Sequence, residues 1–292
     1  MNSEREIVDF FESVRRKKQG MQGQDFNTLP DISLSELKRL ASFLAYDTTM
    51  LSLRDTSKRC VWHVAMPKSG STWVTKVMEK YLVGRGWKAG WPCHTGGRFQ
   101  DLSMPEFYRQ KLLDDDIFLM HMHVLPNEWN VSFARQLNAK VILQIRNIQD
   151  VLVSLVDHYE KEKSLLPFVS VDPKLWEMFS ANEKIDFVVE QIGPWYIKFW
   201  ASWFFFIDNK STLDVELVRY ESLVDDRQTV FSKIADFCEG EYLIEREFDY
   251  TGFTRFNKGV VGRGGDISQQ SICKLKRMTE MYPDVDFSYM GL

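Results

Sequence analysis

Positive charge is not in excess in this chain of 292 residues. Lys and Arg number 37 against 41 Asp and Glu, a net charge of −4. Non-specific nucleic-acid binding needs a basic surface, so that class of partner is excluded, although a local basic pocket is not. Long apolar runs are also missing. The densest, Phe199 to Ile207, falls far short of the roughly 20 residues that span a bilayer. The N-terminus opens on charged residues without an apolar signal core, which points to a cytoplasmic protein with no membrane partner. Without secretion, the sequons at Asn130-Val131-Ser132 and Asn209-Lys210-Ser211 carry no meaning. Cysteine is scarce. Cys60, Cys93, Cys238 and Cys273 form no C-x-x-C pair and no metal-ligand spacing with the five histidines, so they read as reduced thiols with no metal implied. No repeat, low-complexity tract or linker divides the chain, and residues 1–292 read as one domain.

What is present suffices for a sizeable core: 44% of residues are hydrophobic and 14% aromatic. The chain is organised around Ala65-Met66-Pro67-Lys68-Ser69-Gly70-Ser71-Thr72-Trp73. A run of β-formers, Cys60 to Met66, precedes it. After it, Trp73, Val74, Val77, Met78, Tyr81 and Leu82 recur at helical spacing. The unit is a strand, a tight loop and a helix. Free N–H groups of a first helical turn, the positive end of the macrodipole, the Lys68 charge and the hydroxyls of Ser69, Ser71 and Thr72 together suit a phosphate. Gly70 lets the backbone approach it closely. An ordinary βα turn is the alternative reading. The loop misses the ATP-binding pattern G-x-x-x-x-G-K-[ST], because Lys68 precedes the glycine.

Elsewhere, strands alternate with helices, the pattern of an α/β fold with a parallel sheet. Residues 3–18 and 33–45 read as helices of an N-terminal segment (1–58) packed on or near the body. The second begins with a capping box at Ser33 and Glu36. Gly84 to Gln100 reads as an aromatic-rich loop that either lines a ligand site or lies as a lid on the core. Ile117 to His123 reads as a strand in which His121 and His123 share a face. They are core histidines, or catalytic ones if the strand's C-terminal end faces a site. Lys140 to Ile145 is a buried strand running into Arg146, and a helix follows with Asn147 as N-cap and Asp150 in its first turn. Ser154 stands roughly 10 Å along that helix. Either one anion touches both Arg146 and Ser154, or Arg146 sits in a structural ion pair. Further elements are two helices divided at Gly193-Pro194, a strand over Leu213 to Val218 and a helix over Val230 to Phe237. A Gly- and cation-rich loop then runs from Phe253 to Asp266, and a helix begins near Ser268.

Taken together these stretches resemble the cytosolic-type sulfotransferases that use 3′-phosphoadenosine 5′-phosphosulfate (PAPS). Pro67-Lys68-Ser69-Gly70-Ser71-Thr72-Trp73 is similar to their P-K-S-G-T-T-W loop for the 5′-phosphosulfate. The segment from Arg146 to Ser154 resembles R-N-P-K-D-x-x-x-S, whose Arg and Ser hold the 3′-phosphate. Val218-Arg219-Tyr220-Glu221 resembles R-Y-E-D, where the Tyr reaches the adenine. Thr251-Gly252-Phe253 resembles the adenine-side T-S-F, and Lys258-Gly259-Val260-Val261-Gly262 resembles R-K-G-x-x-G. The motifs run in order over residues 60–266.

The resemblance implies a single α/β domain with a P-loop-like phosphate site, using PAPS without a metal and passing sulfuryl to a small-molecule hydroxyl or amine. In that reading His123, which precedes Leu125-Pro126, is the general base and Lys68 stabilises the leaving phosphate. Three departures stand out. His121 occupies the family's Lys position two residues before the base. Asn257 replaces the Arg of R-K-G, leaving Arg255 or Arg263 to make that contact. Only four residues separate Phe253 from Lys258, which opens the acceptor site or leaves another stretch, such as Gly84 to Gln100, to cover it. The family's K-x-x-x-T-V-x-x-x-E dimer pattern is absent, so the oligomeric state stays open. For the acceptor, Trp87, Trp91, Phe99, Trp129 and Trp195 favour an aromatic-lined pocket, and Asp101, Glu128 and Asp157 favour a cationic compound if they face it. Rival readings are a P-loop nucleotide kinase or NTPase, and a PAPS-binding module that has lost transfer.

Overall fold

The computed structural model describes residues 57–93, 100–162, 171–208, 213–240, 246–251 and 260–292. The helices expected over 3–18 and 33–45, and the site candidates Phe253, Lys258 and Gly259, lie outside the described residues.

Five parallel strands form the centre: β1 (Cys60–Ala65), β2 (Lys88–Gly90), β3 (Ile117–Met122), β4 (Ala139–Ile145) and β5 (Val215–Arg219). Their spatial order is β2-β3-β1-β4-β5, and every pairing is parallel. Parallel sheets need cover on both faces, and β1 accordingly has all six residues buried. On one face Val61, Phe118, Ile142 and Val218 pack against α1 (Ser71–Val83) and α9 (Arg227–Glu239) through Val74, Val77, Leu82, Phe231 and Ile234. On the other, Trp62, Val64, Leu119, Leu143 and Ile145 join the apolar faces of α4 (Ile148–Glu162) and α7 (Gly193–Asp208). The aromatic-rich α7 is core on this side. Trp203 meets Trp62 edge to face, 6.1 Å between centroids, and its indole N–H donates to the Val124 carbonyl.

Among the described residues the expected elements form with small shifts of boundary. The final strand begins at Val215 instead of Leu213, and α10 (Gln269–Thr279) starts directly after its N-cap Ser268. Part of the expected loop 84–100 is the edge strand β2, three residues paired to β3. One irregularity has consequences for the site. Trp62 pairs with Leu119 and Val64 with Met122, so Met120 and His121 together oppose the single residue His63. This β-bulge re-aims the end of β3, a common device beside active sites.

Because all strands run the same way, the loops after β1, β3, β4 and β5 emerge at one end of the sheet. The chain passes from β1 to the edge strand β2, comes back to β3 beside β1, and then crosses to the other side of β1 with β4 and β5. The crevice at such a switch point is where open α/β sheets bind ligands. Among the described residues no helix is long and apolar enough to cross a membrane.

Candidate functional site

Two left-handed residues turn the chain from β1 into α1: Lys68 at φ 63° and Gly70 at φ 83°. A lysine in that region is strained unless its surroundings hold it there, and three long-range bonds hold this loop. The Gln144 amide donates to the Ser69 carbonyl at 2.6 Å, an Arg146 Nη1–H to the Lys68 carbonyl at 3.1 Å, and the Tyr196 hydroxyl to the Pro67 carbonyl at 3.1 Å. No side chain caps α1, whose N-cap is Gly70, so the first turn presents uncapped backbone N–H groups. Ser71 and Thr72 lie in that turn, Ser71 buried and Thr72 exposed. Ser69 differs from expectation. Its hydroxyl turns inward to the Met66 carbonyl at 2.6 Å, so it shapes the loop and its side chain is not directed at a ligand.

A Cβ on Gly70 would stand 2.8 Å from two ring carbons of Tyr220. The left-handed φ adds strain to that overlap. Gly70→Ala is therefore expected to push Tyr220 from its seat, to lower the melting temperature by several degrees, as a cost of roughly 1–3 kcal/mol would, and to weaken nucleotide binding. An unchanged melting curve would contradict the packing.

Tyr220 opens α8 (Tyr220–Asp225) immediately after β5. The Arg146 guanidinium lies over its ring, 4.0 Å from the centroid. Arg146 is 5% exposed. Its Nη2 donates to the Val260 carbonyl at 2.9 Å and faces Asp150 at 3.5 Å, while its Nε is sealed from solvent and bonds to nothing among the described residues. An unsatisfied buried donor on a cation is costly, and an anion taken up here would relieve it. Ser154 is buried further along α4. Asp150 is not a closing member of the helix cap. Its carboxylate accepts from the backbone N–H groups of Gly262 and Gly264 at 2.9 and 2.8 Å, pinning the end of the glycine-rich loop onto α4. A Cβ on Gly264 would overlap Gln149, so only glycine permits that approach. Arg263 pairs with Asp157 at 2.5 Å. Thr251 bonds to Asp249 and receives Lys80 on its carbonyl, contacts that place it beside the body of α1.

Trp73 and Tyr220 share a cleft of about 440 Å³ with Leu223, Arg227 and Gln228. Trp73 also packs edge to face on Phe231. A partly apolar cleft lined by two aromatic rings suits a planar base.

On the other side of the loop His123 directly follows β3. Its Nδ1 lies 2.7 Å from the Ala65 carbonyl. A carbonyl only accepts, so Nδ1 carries the proton and Nε2 keeps its lone pair. Burial pushes the His123 pKa down to about 4; the Ala65 carbonyl works against that shift, and the Lys68 charge adds to it. The imidazole is thus neutral near pH 7. His121 lies 5.5 Å from His123 between centroids and stacks on Trp91; burial first, then His123, His63 and Lys76, hold its pKa well below the usual value.

Sequence reasoning missed the residues beneath. His63 is fully buried in β1, with Nδ1 3.1 Å from the Thr75 hydroxyl and Nε2 2.9 Å from the Gln144 side-chain oxygen. Thr75 in turn meets His121 Nδ1 at 2.9 Å. The only sequence signal was a polar residue at an inward position of a buried strand. Burial pushes His63 down to about 3, with the Gln144 bond opposing. The unfolded chain, at about 6.5, therefore binds a proton that the folded chain refuses, and stability is lost as pH falls from about 6.5 towards 3. His63 contributes roughly 1 kcal/mol per pH unit to that slope. Urea unfolding at about pH 7 and about pH 5 is expected to show a smaller loss in His63→Leu than in the wild type; equal losses would contradict neutral burial.

Of the aromatics expected to line an acceptor pocket, Phe99 lies outside the described residues, and Trp87 packs apart from Trp91 and Trp195. Trp87 is buried on the α1 side beneath Arg59, Trp129 is 45% exposed, and Trp91 alone among them stacks on a site histidine. Asp157 is taken up by Arg263, and Asp101 accepts from Asn127 and Asn130.

Among solved structures the chain is similar to that of mouse sulfotransferase SULT7A1 complexed with PAP. The two are 16% identical, the match covers 82% of this chain and 89% of that one, and the TM-score is 0.56. That likeness shows a shared fold. No curated protein matches the sequence significantly. The sulfotransferase domain model matches residues 58–258, a span holding β1 to β5 and the loop, and the chain belongs to the sulfotransferase family.

Proposed function

We propose that this sulfotransferase takes PAPS as donor and moves its sulfuryl group to a hydroxyl or amine of a small molecule. One observation carries the reading: His123 from β3 and Arg146 from β4 both bond to main-chain carbonyls of the Ala65–Lys68 stretch. A proton acceptor and an anion-binding cation thereby flank one phosphate-type loop. The loop's N–H groups, Lys68, Ser71 and Thr72 hold the 5′-phosphosulfate. Arg146 and Ser154 hold the 3′-phosphate, with Lys258, Gly259 and Arg263 of the glycine-rich loop as its further contacts. Trp73 and Tyr220 flank the adenine, and Thr251 and Phe253 are its further contacts in this reading. Ser69 serves by fixing the loop.

His123 Nε2 accepts the proton as the acceptor's oxygen or nitrogen bonds to sulfur and the bond from sulfur to the bridging phosphate oxygen breaks. Lys68 stabilises the charge that collects on that oxygen. The Lys68 charge that lowers the His123 pKa also supports the closeness of the two groups. A bound polyanion favours the protonated imidazole, so donor binding raises the His123 pKa towards the working pH. No metal enters this scheme, and a cytoplasmic location fits it.

Labelled PAPS offered with phenols, alcohols and amines tests the proposal. Transfer to at least one class is expected. Tight binding of 3′-phosphoadenosine 5′-phosphate (PAP) with no transfer to any acceptor would instead favour a binding module. A P-loop NTPase reading is weakened by the end of β4, where Arg146 stands in place of the metal-binding carboxylate such enzymes need.

A further inference from the structure

The buried chain beneath the loop determines which nitrogen of His121 carries a proton. The Ser69 carbonyl only accepts, so the Gln144 amide nitrogen must face it, as it does at 2.6 Å. The Gln144 oxygen then faces His63 Nε2 at 2.9 Å, so that nitrogen must be the donor. His63 is neutral, which leaves its Nδ1 as an acceptor for the Thr75 O–H at 3.1 Å. Thr75 has then spent its one proton. The His121 backbone N–H already donates to Thr75 Oγ1 at 3.3 Å, and His121 Nδ1 lies 2.9 Å from the same oxygen. It can only donate. His121 is therefore the Nδ1–H tautomer, and its Nε2, on the part of the ring not engaged by α1, is a bare lone pair. The β3 bulge that sets His121 against His63 and Thr75 makes this arrangement possible.

His123 reaches the same tautomer independently through the Ala65 carbonyl. Two neutral imidazoles with centroids 5.5 Å apart thus each retain an unprotonated Nε2. Resting on the sulfotransferase reading above, we infer that His121 is a specificity-determining hydrogen-bond acceptor, not a substitute cation, and that the preferred acceptor molecule offers two donors at or beside its nucleophilic atom. A primary amine does so with two N–H groups, and a vicinal diol or catechol with adjacent hydroxyls. One proton goes to His123 as the new bond to sulfur forms. The second donor stays hydrogen-bonded to His121 and holds the nucleophile in line. An analogue with one donor leaves the His121 nitrogen unpaired, and sites built to bond a substrate donor reject such analogues strongly.

Two readouts test this in the full chain. Nitrogen-15 long-range correlation spectra of labelled protein near pH 7 are expected to show His63 as Nε2–H and His121 as Nδ1–H, with Thr75→Val releasing the His121 preference. A His121 resonance of the Nε2–H form in the wild type would overturn the relay. In PAPS assays, kcat/KM is expected to favour a primary amine over its N-methyl analogue, or a catechol over its mono-methyl ether, by about tenfold or more. That ratio should fall towards one in His121→Phe, and the amine and catechol arms separate the two chemistries. A ratio unchanged by His121→Phe would overturn the specificity role. If no acceptor turns over, the transfer reading fails and the acceptor preference with it, while the nitrogen spectra still decide the relay.

Discussion

Replacing His123 by alanine is expected to lower kcat by about 10²–10⁴-fold, the usual worth of a positioned general base, while changing PAP affinity little. The expectation rests on the lone pair left at Nε2 by the bond to the Ala65 carbonyl. Burial of the same imidazole sets the rate's pH dependence. The free-enzyme pKa near 4 means the imidazole is unprotonated, and competent, throughout the neutral range. Activity measured as kcat/KM should therefore hold as pH drops through about 6.5, where an ordinary histidine would protonate, and decline only nearer 4. For kcat the acid limb should lie higher, because the bound polyanion raises the pKa. Full turnover in His123→Ala would remove the assignment.

The second large effect is a contrast between two cations of the same loop region. Lys68→Ala is expected to cost about 10²–10³-fold in kcat, because in the proposed scheme it removes the charge that stabilises the leaving oxygen, with a smaller change in PAP affinity. Arg146→Ala is expected to act mainly on binding. It removes the guanidinium that bonds the Lys68 and Val260 carbonyls and covers Tyr220, together with the unsatisfied Nε that an anion would pair. Charge-assisted bonds of this kind are each worth about 1.5–3 kcal/mol, so PAP affinity should fall by about 10²-fold or more. Calorimetry and steady-state kinetics on both variants separate the two roles. Equal PAP affinity in Arg146→Ala and the wild type would contradict the phosphate assignment.

The legible parts of this molecule were those with local causes. The apolar spacing from Trp73 to Leu82 gave α1, the Asn147 side chain caps α4 as its position implied, and Gly193-Pro194 divides the helices of residues 181–208. Loop residues at the strand ends were legible because parallel strands bring their C-terminal ends to one side. What the sequence hid was long-range. Nothing near Asp150 announced that its carboxylate would hold Gly262 and Gly264, more than a hundred residues on. Nor did the inward hydroxyl of Ser69 or the β3 bulge leave a local trace. The polar chain from Gln144 through His63 and Thr75 to His121 joins three strands and a helix, and a period-two reading of β3 alone could pair His121 with His123 but not with Thr75. Nor did the sequence show that Trp87 and Trp91, four residues apart, pack on opposite faces of the sheet.

The most direct test of the whole account is calorimetric titration of the intact chain with PAP, in EDTA and again with Mg²⁺. The two-phosphate grip proposed for the Lys68 loop and Arg146 should give binding at one site, with the same affinity in both buffers. Absence of binding to PAP, with heat appearing only on titration with ATP and Mg²⁺, would contradict it.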